Sequence, residues 1–143
     1  MEKGYLSFIL HAHLPFIRHP EHESFLEESW LYEGITETYI PLIKMIDGLL
    51  DDGVDFRLTI SLSPTLIAMM EDELLNQRYR KKLELLVELS YKEIERTKYD
   101  QGFNRIAKMY NSLLKESLYN YSEKYHSSLL EAFKKFDASG KVE

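Results

Sequence analysis

An α/β fold, opening on a β–α–β unit and running into long helices, is what this 143-residue sequence predicts. Three observations carry that prediction. An apolar run over residues 5–20, Y-L-S-F-I-L-H-A-H-L-P-F-I-R-H-P, breaks off in histidines, prolines and an arginine. Such a run reads as a buried parallel strand that delivers functional side chains at its carboxyl end. A second alternating run, D-F-R-L-T-I-S-L at 55–62, follows a helical stretch. Beyond it, apolar residues recur every three or four positions through a helical region at 64–138.

The first strand is expected near 4–11. Alternation puts His11 and His13 on one face and Ala12 on the other. Pro15 stops the ladder, because proline has no N–H to donate. Residues 18–23 form a polar loop carrying His19 and His22. Ser24, with Glu27 three residues on, fits a capping box. Leu31, Ile35, Tyr39, Leu42, Ile43, Ile46, Leu49 and Leu50 then keep helical spacing, with Pro41 starting or bending the helix. Asp51-Asp52-Gly53 ends it, the glycine free to take a left-handed cap.

The second strand is expected near 55–62, with Phe56, Leu58, Ile60 and Leu62 on one face. Ser63-Pro64 supplies a cap and a first-turn proline for a helix over 65–75. An amphipathic helix follows over 78–98, Gly102 separates, and one long helix runs from about 103 to 136. Residues 139–143 read as a helix exit and a new start. A right-handed parallel crossover joins the strands. Two such strands make no self-sufficient sheet. The chain is therefore expected to be the front of a larger protein, or to dock onto missing strands.

Composition narrows the function classes. The net charge of −6, spread along the chain, argues against a nucleic-acid partner and an anionic membrane surface. The absence of cysteine removes disulfides and thiolate metal sites. Met1-Glu2-Lys3 lacks the cationic start of a signal peptide, and no apolar stretch approaches the roughly 20 residues of a membrane span. A soluble, cytoplasmic protein is the expectation. At 143 residues it is too short for a complete (β/α) barrel of about 250 residues.

His11 and His13 are the candidate site, because a parallel α/β fold keeps its ligands at the carboxyl ends of strands. Three readings compete. Each imidazole can be satisfied by a backbone carbonyl as a structural residue. The H-x-H pair can hold a divalent ion in a metal-dependent hydrolase, with Glu33 and Glu37 as further ligands, although glutamates at that spacing normally face solvent. Or the imidazoles can hydrogen-bond sugar hydroxyls, with Trp30, the single tryptophan, covering a pyranose face. A non-catalytic helical interaction module, associating through Tyr110, Tyr121 and Tyr125, is a further alternative. Glu27, Glu28, Glu33 and Glu37 are kept out of catalysis, since a helix start favours acidic residues through its dipole.

Three blocks taken together resemble the start of glycoside hydrolase family 57, above all its 1,4-α-glucan branching enzymes and amylase-like members. They are G-Y-L-S-F-I-L-H-A-H-L-P-F-I-R-H-P, F-L-E-E-S-W-L-Y-E-G-I-T-E-T-Y-I-P-L and D-F-R-L-T-I-S-L-S-P-T-L. The resemblance implies that residues 1–143 are the N-terminal portion of an incomplete (β/α)7 barrel. It implies α-1,4-glucan as substrate, glycogen-type glucan metabolism, and no cofactor or metal. His11 and His13 would then contact the donor sugar, with Trp30 beside the glucan groove. Such enzymes are retaining, with a glutamate nucleophile and an aspartate acid/base whose carboxyl groups stand about 5–5.5 Å apart. Both belong to later regions of the family's pattern, so this chain alone is expected to be inactive. Its partner would be the missing remainder of the barrel.

Overall fold

The computed structural model describes Gly4 and residues 6–143. In chain order the elements are β1 (Ile9–Ala12), α1 (Glu28–Gly34), a π-helical segment (Ile35–Tyr39), α2 (Ile40–Asp51) and β2 (Thr59–Leu62). Then come α3 (Pro64–Glu71), α4 (Glu73–Arg96), α5 (Gln101–Tyr119), a second π-helical segment (Asn120–Lys124) and α6 (Leu129–Ala138). β1 and β2 pair in parallel, Ile9 opposite Thr59 and Ala12 opposite Leu62. The α/β order read from the sequence is present, with both strands shorter than expected. Tyr5 of the first strand and Met1-Glu2-Lys3 lie outside the described residues.

Leu58 adds a parallel bridge to Val142. Its N–H donates to the Lys141 carbonyl at 3.0 Å, and the Ile60 N–H to Glu143 at 2.8 Å. On the opposite edge of β2, Thr59 donates to Phe8 at 3.2 Å and Ser63 to Ala12 at 3.0 Å. Even and odd residues of this segment therefore bond in opposite directions, and the tail beyond α6 lies against β2 as a third strand would.

The helices pack on one face of the sheet. Phe56, Leu58, Ile60 and Leu62 meet a core that includes Ile43, Ile46, Leu66, Met69 and Phe136, all sealed from water. On the other face Ile9, His11 and Ser61 are exposed and Thr59 is half-buried; within β1 only Ala12 is buried, Leu10 being exposed as well. This corrects the expectation of a fully buried first strand. Among the described residues β2 is the only ladder partner of β1, so β1 is an edge strand with no cover over its outer face.

Local sequence explains most boundaries. Pro41 has no N–H, so a helical turn before it loses a donor. The chain responds by widening that turn, and the Ile40 N–H reaches back five residues to the Ile35 carbonyl. Asp52 and Gly53 end α2, with Gly53 at φ 66°. Ser63 caps α3 by accepting from the Leu66 N–H at 3.3 Å.

Elsewhere the structure departs from the expectation. No side chain caps α1, which starts after Glu27 rather than at Ser24. Asp72 breaks the helix expected over 65–75 and caps α4, accepting from the Leu75 N–H at 3.0 Å. Asp100, not Gly102, divides α4 from α5, since its carboxylate accepts from the Phe103 N–H at 3.1 Å. The single long helix over 103–136 is broken. After the second π-helical segment, His126 and Ser127 take positive φ angles of 49° and 61°, each costing roughly 1–2 kcal/mol. The turn sends α6 back to the sheet, where burial of Phe133 and Phe136 offsets that strain.

Asp47 ties this return together. Its carboxylate, on a residue only 8% exposed, meets Lys124 at 2.7 Å, the Tyr125 hydroxyl at 3.2 Å and Lys135 at 3.4 Å. Burial pushes its pKa up, but the Lys124 hydrogen bond and the charges of Lys124 and Lys135 outweigh that and hold it below the usual carboxylate range. A depressed folded-state pKa gives stability that is complete above the unfolded value of about 3.9 and is lost as pH falls through the folded value. Asp47→Asn should therefore cost about 1–3 kcal/mol in urea unfolding at pH 7, with the gap to the parent chain closing toward pH 3. A constant gap across that range would show that the charge contributes nothing.

Candidate functional site

The carboxyl ends of β1 and β2 stand level, so the loops that leave them meet. Thr65 Oγ1 donates to the Leu14 carbonyl at 2.8 Å, and the Ile17 N–H points at Met69 Sδ at 3.1 Å. His11 lies opposite Ser61 in the ladder. His13 follows the strand directly, and both histidines are exposed on either side of buried Ala12. Neither imidazole has a hydrogen-bond partner among the described residues, so the carbonyl-satisfied arrangement is not seen there.

The loop at 18–23 is held from below by α4. Arg18 Nε pairs with Asp72 Oδ2 at 2.6 Å, and Asp72 is also the cap of α4. Arg78 Nη1 donates to Glu28 Oε1 at 2.5 Å and to the His19 carbonyl at 3.2 Å, while its other terminal nitrogen donates to the His22 carbonyl. Glu28, 1% exposed, also accepts from the His19 N–H at 3.3 Å and from the Tyr32 hydroxyl at 3.0 Å. Burial and the Glu28 charge push the Tyr32 hydroxyl well above its ordinary pKa, so it stays a donor. The Phe25 ring lies 3.8 Å from that of His19 and 5.1 Å from that of His22, centre to centre.

The structure adds what the sequence left open. Glu28 stands in the first turn of α1, as a helix start favours, but it is also the buried partner of an arginine 50 residues away. Nothing local marks it, because its partner is set by how α4 packs beside α1. The tyrosine seam is not a free surface. Tyr121 is buried edge-on to Tyr79 at 4.7 Å, Tyr125 turns to Asp47, and only Tyr110 is exposed.

Trp30 projects from α1 and is 51% exposed, whereas its neighbour Leu31 is sealed in the core. His11, His13 and Trp30 face open surface. The cavities beside them in the molecule, including one of about 420 Å³ between Phe25, Glu28, Tyr32 and Arg78, are lined by other residues. Glu33 and Glu37 are exposed on their helical turn. Among the described residues no three histidine, aspartate or glutamate side chains gather into a metal-holding group, and no helix is long and apolar enough to cross a membrane.

A parallel α/β unit with polar side chains at level strand ends is the architecture of a carbohydrate-active catalytic domain among many others. Comparison with known proteins narrows it. The model of glycosyl hydrolase family 57 matches residues 7–143, and the chain belongs to that family. It is 31% identical over 141 residues to a 1,4-alpha-glucan branching enzyme of Thermococcus kodakarensis, covering 99% of this chain and 20% of that protein. The crystal structure of the alpha-amylase AmyC from Thermotoga maritima superposes with a TM-score of 0.89 at 44% identity, over 96% of this chain and 26% of that one. A branching enzyme of this family from Pyrococcus horikoshii gives 0.90 at 32% identity, over 99% of this chain and 26% of that one. The chain thus spans a fifth to a quarter of the length of these relatives.

The placement of Trp30 has a direct check. If it is a surface ligand rather than a core anchor, Trp30→Ala should move the urea midpoint by no more than about 0.5 kcal/mol. Leu31→Ala, next to it but buried, should cost about 2–5 kcal/mol.

Proposed function

We propose that this chain forms the first part of an incomplete (β/α)7 barrel in a retaining, α-glucan-active enzyme, and that the enzyme is a 1,4-α-glucan branching enzyme. The observation that carries the reading is the one-sided sheet. The core packs against the face of Ala12, Leu58, Ile60 and Leu62, while Ile9, His11 and Ser61 stand exposed on the other. A barrel needs this division, with helices outside and a lining of strand side chains inside. The edge of β1 and the tail beside β2 are the two places where further strands would add.

In this reading His11, His13 and Trp30 line the donor glucan subsites. The imidazoles exchange hydrogen bonds with vicinal hydroxyls, and the indole face covers a sugar ring. The walls of the groove and the two catalytic carboxylates come from the remainder of the barrel, which is the chain's proposed partner. The donor glucan is cleaved with departure of its 4-hydroxyl end, and the glycosyl-enzyme then passes its glucan segment to a 6-hydroxyl of another α-1,4-glucan, in a cytoplasmic, glycogen-type pathway. The higher identity to the protein described as an alpha-amylase favours a second outcome of the same chemistry, in which water accepts the glucan.

A chimera tests this directly. Residues 1–143 replace the matching quarter of the Thermotoga maritima protein, and the product is incubated with amylose. Turnover should persist in the chimera and be absent from the 143-residue chain alone. New α-1,6 linkages mark branching, and new reducing ends without them mark the amylase outcome. His11→Ala should lower kcat/KM by about 10- to 150-fold, the cost of one hydrogen bond of about 1.5–3 kcal/mol. Unchanged turnover and affinity in that variant would remove His11 from the site.

A further inference from the structure

Resting on the glucan-site reading above, we propose that the buried Glu28–Arg78 pair is a positioning device. It fixes the loop between β1 and α1, and so sets the spacing between the strand-end histidines and Trp30.

The geometry separates this from a role in stability alone. A buried ion pair contributes little more than well-packed apolar side chains of the same volume, because desolvation cancels most of the attraction. What an apolar pair cannot replace is where the guanidinium spends its hydrogen bonds. Arg78 reaches three acceptors: the Glu28 carboxylate and the carbonyls of His19 and His22. Two of the three are loop backbone. The third belongs to α1, two residues before Trp30. Glu28 returns the grip by accepting from the His19 N–H. One planar fork therefore spans both the loop and the tryptophan helix, which a lysine, as a single point charge, cannot do.

A second contact anchors the other end of the same loop. Arg18 pairs with Asp72, whose second oxygen caps α4. Both anchors thus lie at the start of α4: Asp72 is its cap, and Arg78 stands in its second turn. α4 belongs to the helical excursion that follows β2, so that excursion acts as a base plate for the loop leaving β1. Displacement of a positioned group by about 1 Å is enough to cost roughly a hundredfold in function.

The test uses the chimera described above, in which the remainder of the barrel completes the groove, and three readouts. The variant Glu28→Met, Tyr32→Phe, Arg78→Met removes the pair while leaving no orphaned hydroxyl. Arg78→Lys keeps the charge but not the fork. Thermal melting reports the fold. The imidazole proton resonances of His19 and His22, shifted by the Phe25 ring they stack on, report the loop. Calorimetric titration with maltoheptaose reports binding. The triple variant should melt within a few degrees of the parent, lose the ring-current shifts, and bind maltoheptaose between about ten- and a hundredfold more weakly. Arg78→Lys should do the same with the fold intact.

Folded variants that keep both the His19 and His22 shifts and the parent's affinity would overturn the positioning role. A triple variant that unfolds, with Arg78→Lys unchanged in both readouts, would overturn it too, by leaving the pair a purely structural one. A chimera whose maltoheptaose affinity is unchanged by both His11→Ala and Trp30→Ala would instead overturn the glucan site, while the resonances still decide whether the pair holds the loop.

Discussion

A carboxylate removed from water must find donors, and that need organises the loop that leaves β1. Glu28 finds them in a loop N–H, in the hydroxyl one turn along its own helix, and in an arginine from α4. Each donor comes from a different part of the chain. Loop, α1 and α4 can satisfy the carboxylate only in one mutual arrangement. Apolar contacts between the same elements would tolerate sliding, because dispersion has no direction. The pair thus supplies register where the core supplies only cohesion.

The sheet shows the complementary constraint. Strand pairing in parallel brings the carboxyl ends of β1 and β2 level, which places the histidine segment beside the start of α3. The helices then cover one face, since the alternating residues Leu58, Ile60 and Leu62 offer only one apolar face to cover. The other face is the one that carries His11. The core and the side chain of His11 are thus assigned to opposite faces by a period of two.

Much of this was legible in the residues. The strand end between His11 and His13, the stop at Asp51-Asp52-Gly53, the cap at Ser63 and the helix start at Pro41 all rest on local chemistry, and each is found where that chemistry puts it. Family membership was legible as well, because the histidine, proline and tryptophan blocks fall in order. What escaped was less local. Asp100 proved to be the divider of α4 and α5 in place of Gly102, and Asp72 broke the helix expected over 65–75, because a capping carboxylate fixes a helix start more firmly than a flexible glycine does. The break at His126 and Ser127 has no local cue. Period continues through it, and only the pull of Phe133 and Phe136 toward the core explains the strained turn.

Spacing and residue type by themselves therefore determined the α/β order, the parallel crossover and the position of the histidines at the end of the first strand, since these depend on alternation, capping and proline over a few residues. Only the tertiary structure decided that Glu28 is buried, that Arg78 and Asp72 hold the loop, and that Tyr121 faces inward rather than outward. Those outcomes join residues tens of positions apart. No pattern along the chain records which distant charge will arrive beside a carboxylate once the helices have packed.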